Sequence, residues 1–250
     1  MKLWDKGFST DKKIDHFTVG NDRELDLFLA KYDVIASAAH AKMLAKVGLI
    51  SNEEGKALVK ELGVIAKSIE KGQFTIEDDF EDMHSKIEFL LIEKLGDTGK
   101  KIHTARSRND QVLVAMQLYL KEELTVIKNQ VKDLFDLLLT LAEKYQKVLL
   151  PGYTHLQIAM PSSFGLWFSA YAESLIDDLY LVQAAYKVAD QNPLGSAAGY
   201  GSSFPIDRTF TTSEMGFETL KYNVVAAQMG RGKVEKATAF GISSIAATLS

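Results

Sequence analysis

The residues from His103 to Gln111 are the part of the sequence richest in side chains that could do chemistry. They bring together an imidazole, two guanidiniums, two hydroxyls, a carboxylate and two carboxamides, and an apolar run begins directly after them at Val112. An arginine can meet a carboxylate with two parallel hydrogen bonds. The segment therefore predicts a surface that holds a small anion at the start of a long helix. The alternative is a solvated loop that Asn109 or Asp110 caps.

A second polar group, Tyr153 to Gln157, follows a proline and a glycine at the junction between two predicted helices. Thr154 and His155 place a hydroxyl and an imidazole side by side there. An unperturbed imidazole titrates at about pH 6.5, so it can give or take a proton at neutral pH. His155 is therefore a candidate for proton transfer. The alternative is a histidine that caps a helix or fills the core.

Asp82 and His84, on a predicted third helix, have a similar character. Five scattered histidines and no cysteine do not provide the ligand spacing of a metal site, so we expect no metal. His16 and His40 have no companions and are expected to be structural. The segment 192–203, rich in Gly and Ser, could offer backbone N–H groups to an anion, or it could be a flexible linker. It lacks the Gly-Lys-Ser/Thr ending of a phosphate loop.

Composition limits the class of protein. A formal net charge of -4 argues against a broad nucleic-acid surface, although a small anion needs only local positive charge. The absence of cysteine excludes disulfides, thiolate metal sites and a cysteine nucleophile within these 250 residues. We find no apolar stretch of the length that a signal peptide or a membrane-spanning helix needs. We therefore expect neither export nor membrane insertion, and cytoplasm is the default location.

The spacing of apolar residues predicts an all-α protein with no strand. A polar, irregular arm is expected over 1–24. Helices are predicted over 25–47, over 51–71 with a Ser51–Glu54 capping box, over 80–95, over 161–189, near Thr211 with Glu214 three positions later, and over 224–250. We expect a small N-terminal helical domain over 1–111 and a central long-helix bundle domain over 112–250.

One predicted helix is much longer than the others. From Met116 to Val148, apolar residues recur at alternating intervals of three and four. A helix of roughly 40 residues would be about 55 to 60 Å long, which exceeds the diameter of a small domain. Its apolar stripe must then be covered by other long helices, from this chain or from other copies. The sequence therefore predicts a helical bundle that is oligomeric.

The order and spacing of these blocks resemble one family. His103–Gln111 resembles the His-Thr-Gly-Arg-Ser-Arg-Asn-Asp-Gln block of argininosuccinate lyase, and Gly152–Gln157 resembles that family's Gly-Tyr-Thr-His-Leu-Gln block. Leu3-Trp4, the Glu81–His84 segment and the loop from Pro193 to Arg208 are similar to further landmarks. The Ser-Arg-Asn-Asp form separates this branch from fumarase, aspartase and adenylosuccinate lyase.

The resemblance implies a mainly helical homotetramer whose active sites each draw on three chains. It implies reversible cleavage of argininosuccinate to arginine and fumarate in arginine biosynthesis, without metal or organic cofactor. A base removes a proton beside a carboxylate, an aci-carboxylate intermediate is stabilised, and the C–N bond breaks as the guanidinium leaves. Fixed positive and polar donors would lower the cost of the developing charge.

The resemblance also assigns roles to individual residues. His155 matches the histidine assigned to proton transfer. Positions matching family contacts or other active-site positions are Ser107, Arg108, Asn109, Thr154, Asp82 and His84, with Asn21 as a weaker counterpart of an N-terminal serine contact.

Several residues depart from the family pattern. Ala105 stands where a glycine is usual, Ala115 and Gln117 replace a common Asp and Arg, and Ile158 and Met160 replace polar residues. These departures concern substrate selectivity more than the class of reaction.

The family's Gly-Ser-Ser-x-Met-Pro loop, with a catalytic serine and a lysine, has no match up to Ser250. We therefore expect these 250 residues to lack that loop and the C-terminal domain, and to have no appreciable lyase activity alone. Two alternatives stay open: another fumarate-releasing lyase of the superfamily, and a non-catalytic helical scaffold of the kind found in lens crystallins.

Overall fold

The computed structural model describes residues 12–250, and the protein is mainly helical over them. The helices are α1 (Lys12–Val19), α2 (Asp22–Leu25), α3 (Ala30–Lys46), α4 (Asn52–Glu70), α5 (Met83–Leu95), α6 (Asp97–Lys100), α7 (Arg108–Lys144), α8 (Phe164–Ala189), α9 (Arg208–Glu214), α10 (Val224–Gln228) and α11 (Lys233–Leu249). The strands are β1 (Leu149–Thr154), β2 (Gln157–Ser163), β3 (Gln191–Asn192) and β4 (Thr219–Leu220). The helical fold class is confirmed, whereas the expectation of no strand is wrong.

Two segments near the N-terminus bear on the predicted arm. Leu3-Trp4 lies outside the described residues, as does the side chain of His16. Residues 12–19 form α1, so the irregular arm predicted over 1–24 is wrong in that stretch.

The chain groups into two compact units. The first unit comprises Met1–Tyr119, described from residue 12, with Asp190–Arg231, and the second comprises Leu120–Ala189 with Gly232–Ser250. The first unit thus combines the N-terminal helices with a segment that comes 70 positions later. The domain boundary after residue 111 stays a prediction.

Helix starts follow local capping chemistry. The capping box is confirmed: the Ser51 hydroxyl accepts from the Glu54 backbone N–H, and the Glu54 carboxylate accepts from the Ser51 N–H at 2.9 Å. Such a box satisfies two backbone donors that a helix start leaves free. Asp82 caps α5 in the same way, accepting from the backbone N–H of Ser85. The cap of α9 is Asp207, not Thr211, which lies inside that helix.

The core of the first unit is built from α3, α4 and α5, with Leu194 and Phe217 from the later segment. The inward face of α3 is not wholly apolar. Asp33, Ser37 and His40 are buried at 0%, 1% and 2% exposure, whereas Ile35 on the same helix is 39% exposed. Spacing of four and three places the three polar residues on one helix face. The first unit therefore has a polar interior beside its apolar core.

In the second unit, α7 ends at Lys144 rather than at 150, because Leu149 already belongs to β1. β1 and β2 pair antiparallel, with Thr154 opposite Gln157. Pro151 and Pro161 face each other in this hairpin, whereas the sequence suggested a helix break at Pro151 and a helix start at Pro161. A two-stranded ribbon tolerates proline because each strand has an unpaired edge.

Helices α8 and α11 pack closely in the second unit. A Cβ on Gly241 of α11 would lie 3.3 Å from the Cα of Val182 of α8, so the missing side chain allows the close approach. The hydroxyl of Ser244 donates to the carboxylate of Asp178 across the same contact. The helix predicted over 224–250 is interrupted between α10 and α11, where Gly232 has a φ of 78°.

Over residues 12–250, no helix is long and apolar enough to span a membrane.

Candidate active site

The polar segment that precedes α7 is fixed by one buried carboxylate. Oδ1 of Asp110 accepts from the backbone N–H of Ser107 at 2.9 Å. Oδ2 accepts from the backbone N–H groups of Gly195 and Ala197 at 2.9 and 3.0 Å. Asp110 is fully buried, so the three donors satisfy a charge that would otherwise be costly to bury. The carboxylate thus joins the start of α7 to the glycine-rich segment.

This arrangement corrects one expectation for the segment 192–203. Two of its backbone N–H groups, which the sequence suggested for an external anion, are taken by Asp110. The left-handed backbone of Gly195, with a φ of 88°, helps to bring them to one carboxylate. The beginning of the segment is buried from Asn192 to Ser196, so it is part of the packed structure.

Arg208 fixes the same segment from the other side. Its Nε donates to the carbonyl of Leu194 at 2.8 Å, and its Nη2 donates to the carbonyl of Lys221 at 2.8 Å and to that of Asn192 at 3.4 Å. One guanidinium therefore connects the end of β3 to the residues after β4. The bonds hold the start of the segment, at Asn192 and Leu194.

Arg108 begins α7, and its guanidinium is surrounded by polar groups. Nη1 donates to Oε1 of Gln111 at 2.8 Å and to Oε1 of Glu88 at 3.3 Å. Nη2 donates to the hydroxyl of Ser85 at 3.4 Å. Nε lies 3.6 Å from Oδ2 of Asp82 and makes no hydrogen bond within residues 12–250. The Nη1 end is therefore held closely, and the opposite edge makes only long contacts.

Gln111 connects this arginine to a buried acid and histidine. Its Nε2 donates to Oδ1 of Asp33 at 2.9 Å. Nδ1 of His84 lies 2.9 Å from the same oxygen, and both ionisable side chains are almost wholly buried. Burial by itself raises the pKa of Asp33. The neighbouring His84, Arg106 and Gln111 outweigh the effect of burial and lower this pKa to about 2. Asp33 is therefore ionised at neutral pH.

Glu88 gathers positive groups around one carboxylate oxygen. His103 Nδ1 and Arg106 Nη2 lie 3.1 and 3.8 Å from Oε1, which also accepts from Arg108. Burial raises the pKa of Glu88, but these neighbours outweigh it and hold that pKa below its usual value. The site thus contains paired charges of both signs in a partly buried setting.

Arg106 and His40 occupy the interior behind Glu88. Arg106 Nη1 donates to the hydroxyl of Ser37 at 2.8 Å. Nε2 of His40 lies 2.9 Å from the carbonyl of Thr104, which can only accept, so Nε2 carries the proton. Burial, helped by the Arg106 charge, lowers the pKa of His40 to about 3. His40 is a neutral, buried residue, in keeping with the structural role expected for it.

Five of the sequence-predicted residues lie in the first unit, at or beside the starts of α5 and α7. They are Asp82, His84, Ser107, Arg108 and Asn109. Asn109 is exposed, and its backbone N–H donates to the Ser107 hydroxyl at 3.3 Å. Asn21 precedes α2, is exposed, and makes no side-chain capping bond. No contact of its side chain with the other five is present among the described hydrogen bonds.

Thr154 and His155 belong to the second unit, where they lie at the tip of the β1–β2 hairpin. His155 and Leu156 form the two-residue turn, with φ values of 52° and 62°. Two positive φ angles are typical of the tight turns that match the twist of a hairpin. His155 is exposed, so its imidazole is accessible and is not a core residue.

Sequence reasoning missed three groups of this site: Asp33, Asp26 and Glu88. It placed Gln111 in the polar segment but gave its amide no partner. Oδ2 of Asp26 accepts from the backbone N–H of Met83 at 3.0 Å, and burial raises its pKa. The spacing of Asp33, Ser37 and His40 along α3 was a usable signal, because three polar residues on one helix face are unusual in a core. We found no comparable indication in the sequence for Asp26 or Glu88.

Among residues 12–250, no group of three or more His, Asp and Glu side chains is placed to hold a metal ion.

Comparison with known proteins identifies the family. A family model described as Lyase matches residues 7–240. Argininosuccinate lyase from Phocaeicola vulgatus is 57% identical over 250 residues, which are 100% of this chain and 56% of that protein. The corresponding enzyme from Thermotoga neapolitana is 44% identical over 234 residues, covering 94% of this chain and 59% of that protein. The chain thus spans little more than half the length of these relatives.

A solved structure supports the same fold. EDDS lyase in complex with formate matches with a TM-score of 0.82 at 22% identity, over 98% of this chain and 48% of that chain. At that identity the likeness concerns the fold alone. The resemblance to argininosuccinate lyase predicted from the sequence blocks is confirmed by the relatives. Because the family model covers most of its residues, the chain belongs to the lyase family.

Proposed function

We propose that this chain supplies the N-terminal and part of the central region of an argininosuccinate lyase. The reaction would be the reversible cleavage of argininosuccinate to arginine and fumarate, without metal or organic cofactor. The observation that carries the proposal is the guanidinium of Arg108, which is held at Nη1 and makes only long contacts along its Nε–Nη2 edge. That edge suits a carboxylate of the substrate, because a planar fork can donate two parallel hydrogen bonds.

Ser107 and Asn109 flank Arg108 at the start of α7 and would add polar contacts to the same carboxylate. The N-terminal end of a helix carries partial positive charge and free backbone N–H groups, which favour an anion. Asp82 and His84, at the start of α5, would line the other side of this pocket. Asn21 remains a weaker candidate for a contact.

His155 would transfer a proton, with Thr154 contacting the substrate beside it. The exposed hairpin tip supports this, because an accessible imidazole can reach a ligand held by another copy of the chain. When the proton beside the carboxylate is removed, negative charge develops on that carboxylate. Arg108 and the polar groups around it would stabilise this charge before the C–N bond breaks.

We also infer a homotetramer in the cytoplasm, with active sites shared between chains. Beyond Val131, no residue of the apolar stripe on α7 is buried within the described structure. The hairpin exposes Leu149, Leu156, Ile158 and Met160 at 76%, 99%, 72% and 62%. Exposed apolar surface of this kind usually marks a contact with another protein surface. Other copies of the chain would cover it.

A chimera tests the proposal. Residues 1–250 would replace the matched part of the Phocaeicola vulgatus argininosuccinate lyase, and fumarate would be measured by absorbance with argininosuccinate and adenylosuccinate offered side by side. We expect fumarate from argininosuccinate only, and none from the 250 residues alone. The unaltered relative is the positive control.

Two results would overturn the proposal. A folded, tetrameric chimera that releases fumarate only from adenylosuccinate would indicate a sister lyase. A folded, tetrameric chimera that neither binds nor cleaves argininosuccinate would favour the helical scaffold.

A further inference from the structure

Gln111 is a fully buried residue whose amide contacts two groups of opposite charge. Its Nε2 donates to Oδ1 of Asp33 at 2.9 Å, and its Oε1 accepts from Nη1 of Arg108 at 2.8 Å. Neither the sequence blocks nor the family resemblance gave this side chain a role of its own. Its position between two candidate site groups suggests one.

The orientation of the amide follows from the chemistry of its partners. An ionised carboxylate can only accept hydrogen bonds, so the NH2 group must face Asp33. A guanidinium can only donate, so the carbonyl oxygen must face Arg108. If the amide were reversed, its carbonyl oxygen would face the Asp33 carboxylate and its NH2 group would face the Arg108 guanidinium. Two acceptors would then meet at one end and two donors at the other. Asp33 therefore determines which atom Gln111 presents to Arg108.

Holding one end of the Arg108 guanidinium determines which edge is left for a ligand. Nη1 is bound to Gln111 and Glu88, at 2.8 and 3.3 Å. Nε and Nη2 lie on the other edge, with Asp82 at 3.6 Å and the Ser85 hydroxyl at 3.4 Å. Contacts of that length are weak, so a substrate carboxylate could replace them. The side chain of Arg108 is 20% exposed, but its Nε atom is buried beside Asp82, so a small carboxylate would have to displace Asp82 to reach this edge.

The same amide also ties Arg108 to the histidine of the site. Nδ1 of His84 lies 2.9 Å from the Asp33 oxygen that accepts from Gln111. His84 on α5, Asp33 on α3, and Gln111 and Arg108 on α7 therefore form one continuous polar chain. A displacement of Gln111 would loosen both ends of it.

We propose that Gln111 is a positioning residue: it holds Nη1 of Arg108 so that the Nε–Nη2 edge is presented to a carboxylate at a fixed distance from His84. The kinetic part of this proposal rests on the proposed lyase function, whereas the structural part does not. Gln111 does not itself touch the substrate.

The first test does not depend on lyase activity. Gln111→Met keeps the length of the side chain and removes both polar atoms, and Gln73→Met, at an exposed position, is the matched control. Phenylglyoxal modification of each arginine in the chimera would be followed by mass spectrometry. We expect the rate at Arg108 to rise about tenfold in Gln111→Met, since it loses a hydrogen bond to a charged group. The control should not change it.

The other arginines distinguish positioning from general loosening of the fold. Arg23 and Arg208 lie in the same unit and bond to backbone carbonyls outside this polar chain, so their rates should stay unchanged. An unchanged rate at Arg108, or equal rises at all three arginines, would overturn the proposal. If Gln111→Met precipitates, Gln111→Asn, which keeps the amide but shortens its reach, is measured in the same way.

The second test asks whether Gln111 acts through Arg108. In the chimera, Gln111→Met should lower kcat/KM for argininosuccinate about tenfold, through both KM and kcat, because Arg108 would bind the carboxylate and stabilise its developing charge. In an Arg108→Ala background, the same substitution should change kcat/KM by about twofold or less, because the group it positions is gone. Equal losses in both backgrounds would refute positioning. An inactive parent chimera would refute the lyase function instead, and the modification rates would still decide the role of Gln111.

Discussion

The carboxylate of Asp110 accepts a hydrogen bond from the backbone N–H of Gly195 at 2.9 Å, although 85 positions separate the two residues along the chain. The same oxygen accepts from Ala197, and its neighbour accepts from Ser107. One acidic side chain therefore connects the start of the longest helix to a loop from the later segment of the same unit.

Asp110→Asn should destabilise the chain by about 1 to 3 kcal/mol, because an NH2 group would face at least one buried backbone donor. Urea unfolding followed by circular dichroism measures this as a lower midpoint. Asp97→Asn is the matched control, since the side chain of Asp97 is 90% exposed. Asp97→Asn should change the free energy of unfolding by no more than about 0.5 kcal/mol. Equal midpoints for the two variants would contradict the role given to Asp110.

His40 should make the fold sensitive to mild acid. Its pKa is lowered to about 3 by burial and by Arg106, whereas an unfolded histidine has a pKa of about 6.5. Below pH 6.5 the unfolded chain therefore binds a proton that the folded chain does not, and stability falls until the pH reaches the folded value. Between pH 7 and pH 5 this loss amounts to about 2 kcal/mol.

His40→Gln provides the comparison for that pH dependence, because glutamine can donate to the Thr104 carbonyl and does not titrate. We expect its unfolding free energy, from urea titrations at several pH values, to fall less between pH 7 and pH 5 than that of the parent chain. Parallel pH profiles would show that His40 is not the group responsible.

Ala105→Gly should stabilise the chain. Ala105 has a φ of 57°, a left-handed conformation that costs an L-residue about 1 to 2 kcal/mol. Glycine avoids this cost but adds about 0.5 to 1 kcal/mol of unfolded-state entropy, so the net gain is about 0.5 kcal/mol. Thermal unfolding should give a small rise in Tm. Ala66→Gly, inside α4, should lower it, and a fall in both variants would contradict the interpretation.

His155→Asn should lower turnover of the chimera by about 100-fold or more, as expected for loss of a general acid or base. Asparagine tolerates the left-handed backbone of this turn, where His155 has a φ of 52°, so the hairpin should keep its shape. Size-exclusion chromatography checks that the oligomeric state of the chimera is unchanged. Lys147→Gln, at an exposed position before the hairpin, should leave turnover unchanged. Normal turnover in His155→Asn would remove this residue from the mechanism.

The sequence predicted a feature correctly where one short stretch contains all the residues that form it. The Ser51–Glu54 box predicted both the start of α4 and its hydrogen bonds. The glycine usual at position 105 in the family is explained by the positive φ found there. The helical periodicity of the long helix was also sufficient to predict α7, although not its last turns.

Other features depend on contacts that sequence spacing does not contain. The hairpin was missed because its turn consists of His155 and Leu156, neither of which is a usual turn residue. Its two prolines also suggested the end of one helix and the start of another. The apolar spacing that predicted a helix over 25–47 does not show that Asp33, Ser37 and His40 share a buried face. The bond from Asp110 to Gly195 joins segments whose proximity depends on the packing of the whole unit.

Arg208 donates hydrogen bonds to the carbonyls of Leu194, Asn192 and Lys221. Its guanidinium does not change charge near neutral pH. His40, on α3, binds a proton in mild acid only when its surroundings open, because its pKa then rises from about 3 toward 6.5. Acidification should consequently release amide protons for exchange first along α3, while the glycine-rich stretch stays protected. The same unit would then open in a defined order rather than all at once, with the loop after α8 as the last part to open.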